Sequence, residues 1–142
     1  MELKREELFN NGTAVVYYMP DYKLVENIWL KKVALDSEAY RKPFLVALDF
    51  VKNSGNKAVY YLSDIRNQGV VPVTEKTWFR NVAFPQAAEA GVRYGAVVTN
   101  ANIFKIYYMN AIIKVGNVFN LPVKTFSDWQ KAFNWLIGQN VH

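Results

Sequence analysis

Residues 94–116 read YGAVVTNANIFKIYYMNAIIKVG, and the two halves of this stretch call for different secondary structures. Residues 94–99 form a short apolar run rich in β-branched side chains, the pattern of a strand buried on both faces. Asn100 or Asn102 can then accept from the free N–H groups of a helix start. From there to about Gly116, apolar residues recur at helical spacing. Residues 122–126 (PVKTF) follow as another strand. Strand, helix and strand in this order make a crossover unit with parallel strands.

The same alternation extends upstream. Residues 57–62 (KAVYYL) read as a buried strand, and residues 63–72 as a loop. Thr74 is placed to cap a helix with Glu75 in its first turn and Trp78, Phe79 and Val82 on its apolar side. Pro85 interrupts that helix, and a second piece runs to Gly91. Further back, Asp36-Ser37-Glu38 opens another helix. Tyr40, Phe44, Ala47, Leu48 and Val51 fall on its apolar side, and Asn53-Ser54-Gly55 stops it. Pro43 lies in its second turn, which predicts a kink or a start near Lys42. Residues 13–19 (TAVVYYM) and 23–31 (KLVENIWLK) read as strands joined by a Pro20-Asp21 turn, the second with one better-buried face. At the other end, Ser127 is a cap for a last helix whose stripe is Trp129, Ala132, Phe133, Leu136 and Ile137, ended by Gly138.

The expected order is therefore β-β-α-β-α-β-α-β-α. It gives an α/β fold with a mainly parallel five-stranded sheet flanked by helices. The first strand runs antiparallel to the second because their connection is too short for a crossover. A length of 142 residues fits one domain over residues 1–142, and a 51% hydrophobic composition supplies its core.

Composition also narrows the chemistry. With no cysteine, disulfides and thiolate metal sites are excluded, as suits a reducing compartment, and a cytoplasmic location is expected. The N-terminal MELKREELFNNG lacks the apolar stretch of a signal peptide, and no run reaches the roughly 18 apolar residues of a membrane span. The net charge of +5 includes Arg93, Lys105, Lys114, Lys124 and Lys131 against Asp128 alone after residue 89. These five bases are scattered rather than clustered, so nucleic acid is not an expected partner. The single histidine is His142, and no phosphate loop, dinucleotide fingerprint, nucleophile elbow or metal-ligand spacing occurs. No cofactor or metal is expected, and binding is expected in place of catalysis. Carboxylates distant in sequence could still converge into an enzyme site.

The element order resembles the SpoIIAA-like fold of STAS-type domains, which is related in fold to the CRAL-TRIO lipid-binding domains. Residues that carry the likeness are Trp29, then Ser37-Glu38-Ala39-Tyr40-Arg41. Tyr61-Leu62-Ser63-Asp64-Ile65-Arg66-Asn67-Gln68-Gly69 and Trp78 come next. Pro85 and Gly91 lead to Ala96-Val97-Val98, and Phe126 to Ala132 with Trp135-Leu136 close the series. The resemblance spans about residues 13–137. It implies a non-enzymatic interaction or regulatory module, homodimeric or bound to another protein. By analogy with CRAL-TRIO domains it alternatively implies a carrier of an apolar small molecule. STAS antagonists carry an Asp-Ser-Ser-Gly-type turn after the third strand, where a serine is phosphorylated. Here that place reads Leu62-Ser63-Asp64-Ile65-Arg66, so Ser63 is nearby but outside the motif.

Two groups of residues are candidates for binding. Asp64 and Arg66 fall just past the carboxyl end of an expected parallel strand, where ligands of open sheets sit. Arg66 could clamp a carboxylate or phosphate, or pair internally with an acid. Trp78 and Arg80 on the next helix could wall such a pocket, or serve as core and solvated surface. The second group is the helix of residues 103–119. Its Ile103, Ile106, Tyr107, Met109, Ile112 and Ile113 cover more than half of the helical wheel. A dimer face, an apolar ligand, membrane-surface docking or burial within the domain would each account for this.

Overall fold

The computed structural model describes residues 3–55, 57–100 and 103–139, with the backbone alone for 103–108. Six strands form one sheet: β1 (Glu6–Asn10), β2 (Ala14–Met19), β3 (Leu24–Trp29), β4 (Tyr60–Asp64), β5 (Tyr94–Val98) and β6 (Val123–Phe126). Their spatial order is β1-β2-β3-β4-β5-β6. β1 and β2, and β2 and β3, pair antiparallel, while β3 through β6 pair parallel.

The sheet thus has six strands instead of the expected five. The extra one is β1, with the sequence EELFN. Its two glutamates argue against a strand by propensity. At a sheet edge, however, charge is tolerated and discourages pairing with another chain. Leu8 and Phe9 pack on the core, and a register irregularity between Glu7 and Phe9 accommodates them.

The crossover helices are α1 (Ser37–Asn53), the pair α2 (Val73–Trp78) and α3 (Phe84–Ala90), and α4 (Ile103–Val118); α5 (Trp129–Ile137) follows β6. From β3 onward the chain adds each parallel strand beside the last. Crossovers of one hand that always step in the same direction place their helices on the same face. Accordingly Val25, Tyr61, Val97 and Val123 pack with α1, α3 and α4. Leu24, Leu62, Ala96 and Val98 face α5 through Ala132, Phe133 and Leu136. β3 is buried on both faces rather than one, because α5 covers the second.

Asp36 caps α1 as expected of the Asp36-Ser37-Glu38 opening, accepting from the Ala39 N–H at 2.8 Å. Other local expectations shift. The helix starts at Ser37 and runs as one element through Pro43 to Asn53. Asp128, not Ser127, caps α5 by accepting from the Gln130 N–H at 2.7 Å. Pro72, not Thr74, precedes the first turn of α2, which has no side-chain cap. Between α2 and α3, residues Phe79–Ala83 form a π-helical turn. Pro85 explains it: in α-helical register its ring would meet the Asn81 carbonyl, and widening the turn relieves that clash. β4 begins at Tyr60 and ends at Asp64, so Ser63 and Asp64 belong to a strand rather than to the loop.

Candidate functional site

Where parallel strands alternate around a reversal in their order, a crevice opens at their carboxyl ends. Here the order never reverses. The Asp64–Arg66 corner accordingly closes on itself. Arg66 Nε donates to Asp64 Oδ1 at 3.0 Å, Nη2 donates to Oδ2 at 2.7 Å, and the Arg66 backbone N–H donates to Oδ1 at 3.2 Å. Asn100 adds a bond from its amide to the Arg66 carbonyl. The guanidinium fork is thereby engaged within the chain. Trp78 lies elsewhere, with the Arg41 guanidinium 4.9 Å from its ring and Tyr40 and Phe44 beside it. Arg80 is exposed and donates to Asn81. Asp64, Arg66, Trp78 and Arg80 therefore do not converge.

Two buried carboxylates were not singled out by sequence reasoning. Glu75, 1% exposed, accepts from Ser37 Oγ at 2.5 Å and from Arg41 Nε at 2.5 Å, linking α2 to the first turn of α1. Those bonds, Arg41's first, hold its carboxyl below the usual range against the opposing effect of burial. Glu26 on β3 is fully buried and joins Arg5, at 2.9 Å, to the Trp129 indole N–H, at 2.6 Å. Each carboxylate has its partners built in and sits on a different face of the sheet. Among the described residues, no three metal-ligating side chains gather.

Open capacity is found in a pocket of about 90 Å³ between the sheet and the helices α1, α3 and α4. Its floor includes Tyr61 and Ser63 of β4, and Gly95 and Val97 of β5. Phe44 and Leu48 of α1 form one wall. Phe79, Ala83 and Phe84 come from the π-helical turn and the start of α3, which widen the helix where it meets the pocket. Met109 and Ile112 of α4 close another side. Apolar pockets of this kind stay dry or take small apolar guests. Met109 is the pliable part of the wall, because an unbranched thioether repacks readily.

Polar atoms lie beneath this apolar lining. Among the described residues, the buried Tyr61 hydroxyl has no partner at hydrogen-bonding geometry, nor do the carboxamide atoms of Asn27 or the indole N–H of Trp29. Asn27 pairs with Ser63 across β3 and β4, one step from Tyr61 on the same face. Burial drives the Tyr61 phenol well above its usual range, and the nearby Asn27 carboxamide only partly offsets this. A buried polar group left without a partner costs roughly 1–3 kcal/mol. Such groups are rare enough in native folds that a cluster of them marks a place of interest. Tyr61 sits in a run (KAVYYL) that reads only as strand, and nothing local shows that its hydroxyl has no partner.

The second predicted group is divided by the description. Ile103, Ile106 and Tyr107 belong to α4, but their side chains lie outside the described residues. Met109 is buried and lines the pocket, as does Ile112. Ile113 is half-buried, and Val118 and Phe119 are exposed. Ser63 is 9% exposed and lines the pocket. His142 lies outside the described residues.

The chain matches no family model and no curated protein. A crystal structure does match it along nearly its whole length: an uncharacterised protein of the DUF3478 family with a SpoIIAA-like fold, from Shewanella loihica PV-4. The two share 16% sequence identity with a TM-score of 0.52, over 94% of this chain and 93% of that one. The fold is SpoIIAA-like. In this chain β1 extends the antiparallel edge, and Ser63 lies at the pocket floor. No helix among the described residues is long and apolar enough to cross a membrane.

Proposed function

We propose that this SpoIIAA-like chain is a non-enzymatic binding module that holds a small, mainly apolar molecule between its sheet and the helices α1, α3 and α4. The observation that carries this reading is the pocket itself, lined by Phe44, Leu48, Phe79, Phe84, Met109 and Ile112. Ligand sites are commonly of this composition, apolar walls with a few polar groups to orient the guest. Among the described residues, the lining contains no carboxylate, histidine or lysine, the groups that general acid–base chemistry would use. The abundance of apolar residues in α4 is then shared between core packing and the pocket wall.

Toluene titration followed by protein NMR tests the reading. Shifts are expected for amides around Tyr61, Ala87 and Met109. Ala87→Phe, which fills the pocket from α3, should abolish them while leaving the rest of the spectrum in place. Unchanged spectra at saturating toluene would remove the proposal. Pairing of two copies through α4 is the competing reading. It predicts a doubled mass in light scattering, and toluene shifts confined to α4's outer surface would favour it.

A further inference from the structure

The amino ends of the parallel strands form a surface whose charge and exposed side chains differ from those of the opposite end. We propose that this surface, around the start of β6, docks on a membrane rich in anionic lipid. The residues involved are distinct from those that line the pocket, so this inference goes beyond the pocket reading and does not depend on it.

Three observations point this way. First, exposed apolar side chains lie at this end. The helices α4 and α5 both stop there: the Leu121 N–H, just before β6, donates to the Gly116 carbonyl, and the Tyr60 hydroxyl, at the start of β4, donates to the Gln139 carbonyl after α5. Val118 and Phe119 are 79% and 44% exposed, and Ile137 is 38% exposed. Second, the same end is basic. Lys23, Lys57 and Arg93 lead into β3, β4 and β5, Lys124 lies in β6, and Lys114 is one turn before Val118; all are exposed. Asp21 and Glu89 are the acids of these connections, while Asp49 and Lys52 near the end of α1 offset each other. Asp36, Asp64, Glu75 and Asp128 lie at the other end, at the starts of helices or the close of β4. Among the described residues, none of the bases at the amino end is in an ion pair with a carboxylate. Third, this combination fits lipid better than a second copy or a nucleic acid. A second copy on a twofold axis would bring two basic surfaces together. A phosphate backbone would engage the bases and leave the apolar side chains without a role. An anionic bilayer attracts the bases and takes Val118, Phe119 and Ile137 into its interfacial region, with the lysine stems along the apolar surface and their amines among the head groups.

Co-sedimentation of the intact protein with vesicles of phosphatidylcholine and phosphatidylglycerol in equal parts tests the inference, with vesicles of phosphatidylcholine alone as the comparison. Binding is expected to the mixed vesicles alone and should fall as salt is raised. Lys124→Gln should weaken it by on the order of fivefold, the share of one base near an anionic surface. Phe119→Ser should weaken it by on the order of tenfold, through lost apolar burial. Both side chains are exposed, so the circular dichroism of the variants should match that of the wild type. Spin-labelled lipid should broaden the amides around Phe119 and Ile137 first. Absence of binding to the mixed vesicles at low salt would overturn the inference, as would binding that Phe119→Ser leaves unchanged or broadening centred on Asp36 and Asp64. A doubled mass in light scattering that Phe119→Ser reverses would assign the surface to a second copy, and binding to duplex DNA more tightly than to vesicles would assign it to nucleic acid; either would overturn the lipid assignment. The toluene titration reads the pocket separately from all of these outcomes.

Discussion

At the residue scale, this protein places polar groups in its interior in two different ways. Glu75 is surrounded by donors, and Ser37 and Arg41 stabilise its charged form. Its carboxyl therefore ionises at lower pH in the folded chain than in the unfolded one, where it titrates near 4.5. The stabilisation this gives is fully present above that value and is lost as pH falls through the lower, folded value. Urea midpoints measured from pH 6 down to pH 3 should show Glu75→Gln less stable than wild type at pH 6. The gap should narrow towards pH 3, and a constant gap would contradict the linkage. Arg41 is 38% exposed in this pair, so solvent weakens its share.

At the element scale, the edge of the sheet depends on contacts that cross it. β1 is charged and short, and alone it would add little to the sheet. Arg5, just before β1, meets Glu26 of β3, and Glu26 also accepts from Trp129 at the start of α5. One buried carboxylate thus ties the N-terminal edge, the middle of the sheet and the last helix. Glu26→Ala should lower stability by on the order of 2 kcal/mol in denaturant unfolding. That is below the roughly 3–5 kcal/mol of a fully buried pair, because Arg5 keeps about a third of its surface in water. Amide exchange in β1 and the first turn of α5 should accelerate together. A loss confined to one of them would show that Glu26 does not couple the two. The helical side has its own joint in the π-helical turn at Phe79–Ala83, which meets the needs of Pro85 and directs Phe79 and Phe84 toward the sheet.

For the whole molecule, strand order decides where a ligand can sit. An order that never reverses puts α1, α3 and α4 in one layer and leaves no switch-point crevice. The pocket lies within that layer, over Tyr61 and Val97. Keeping a buried hydroxyl there works against stability. Tyr61→Phe should therefore stabilise the fold by about 1 kcal/mol, read as a raised midpoint of thermal unfolding with no ligand added. A destabilised Tyr61→Phe would show that the hydroxyl is already satisfied in the folded protein.

The sequence by itself determined the alternation of strands and helices, the hairpin at the start and the parallel pairing after it. These follow from local signals: β-branched runs such as 94–98, helical spacing in residues 40–51, and connections too short or long enough for a crossover. The opening of α1 at Asp36-Ser37-Glu38 was legible for the same reason. The edge strand at Glu6–Asn10 was not, because its place beside β2 outweighs its composition. Nor were the contacts of Glu26 and Glu75, which bridge residues 21 to 103 positions apart. The pocket and the unpartnered Tyr61 and Asn27 belong to the tertiary structure alone. Whether a buried polar atom finds a partner depends on which strands become neighbours and what each helix lays over them, and no local pattern contains that information.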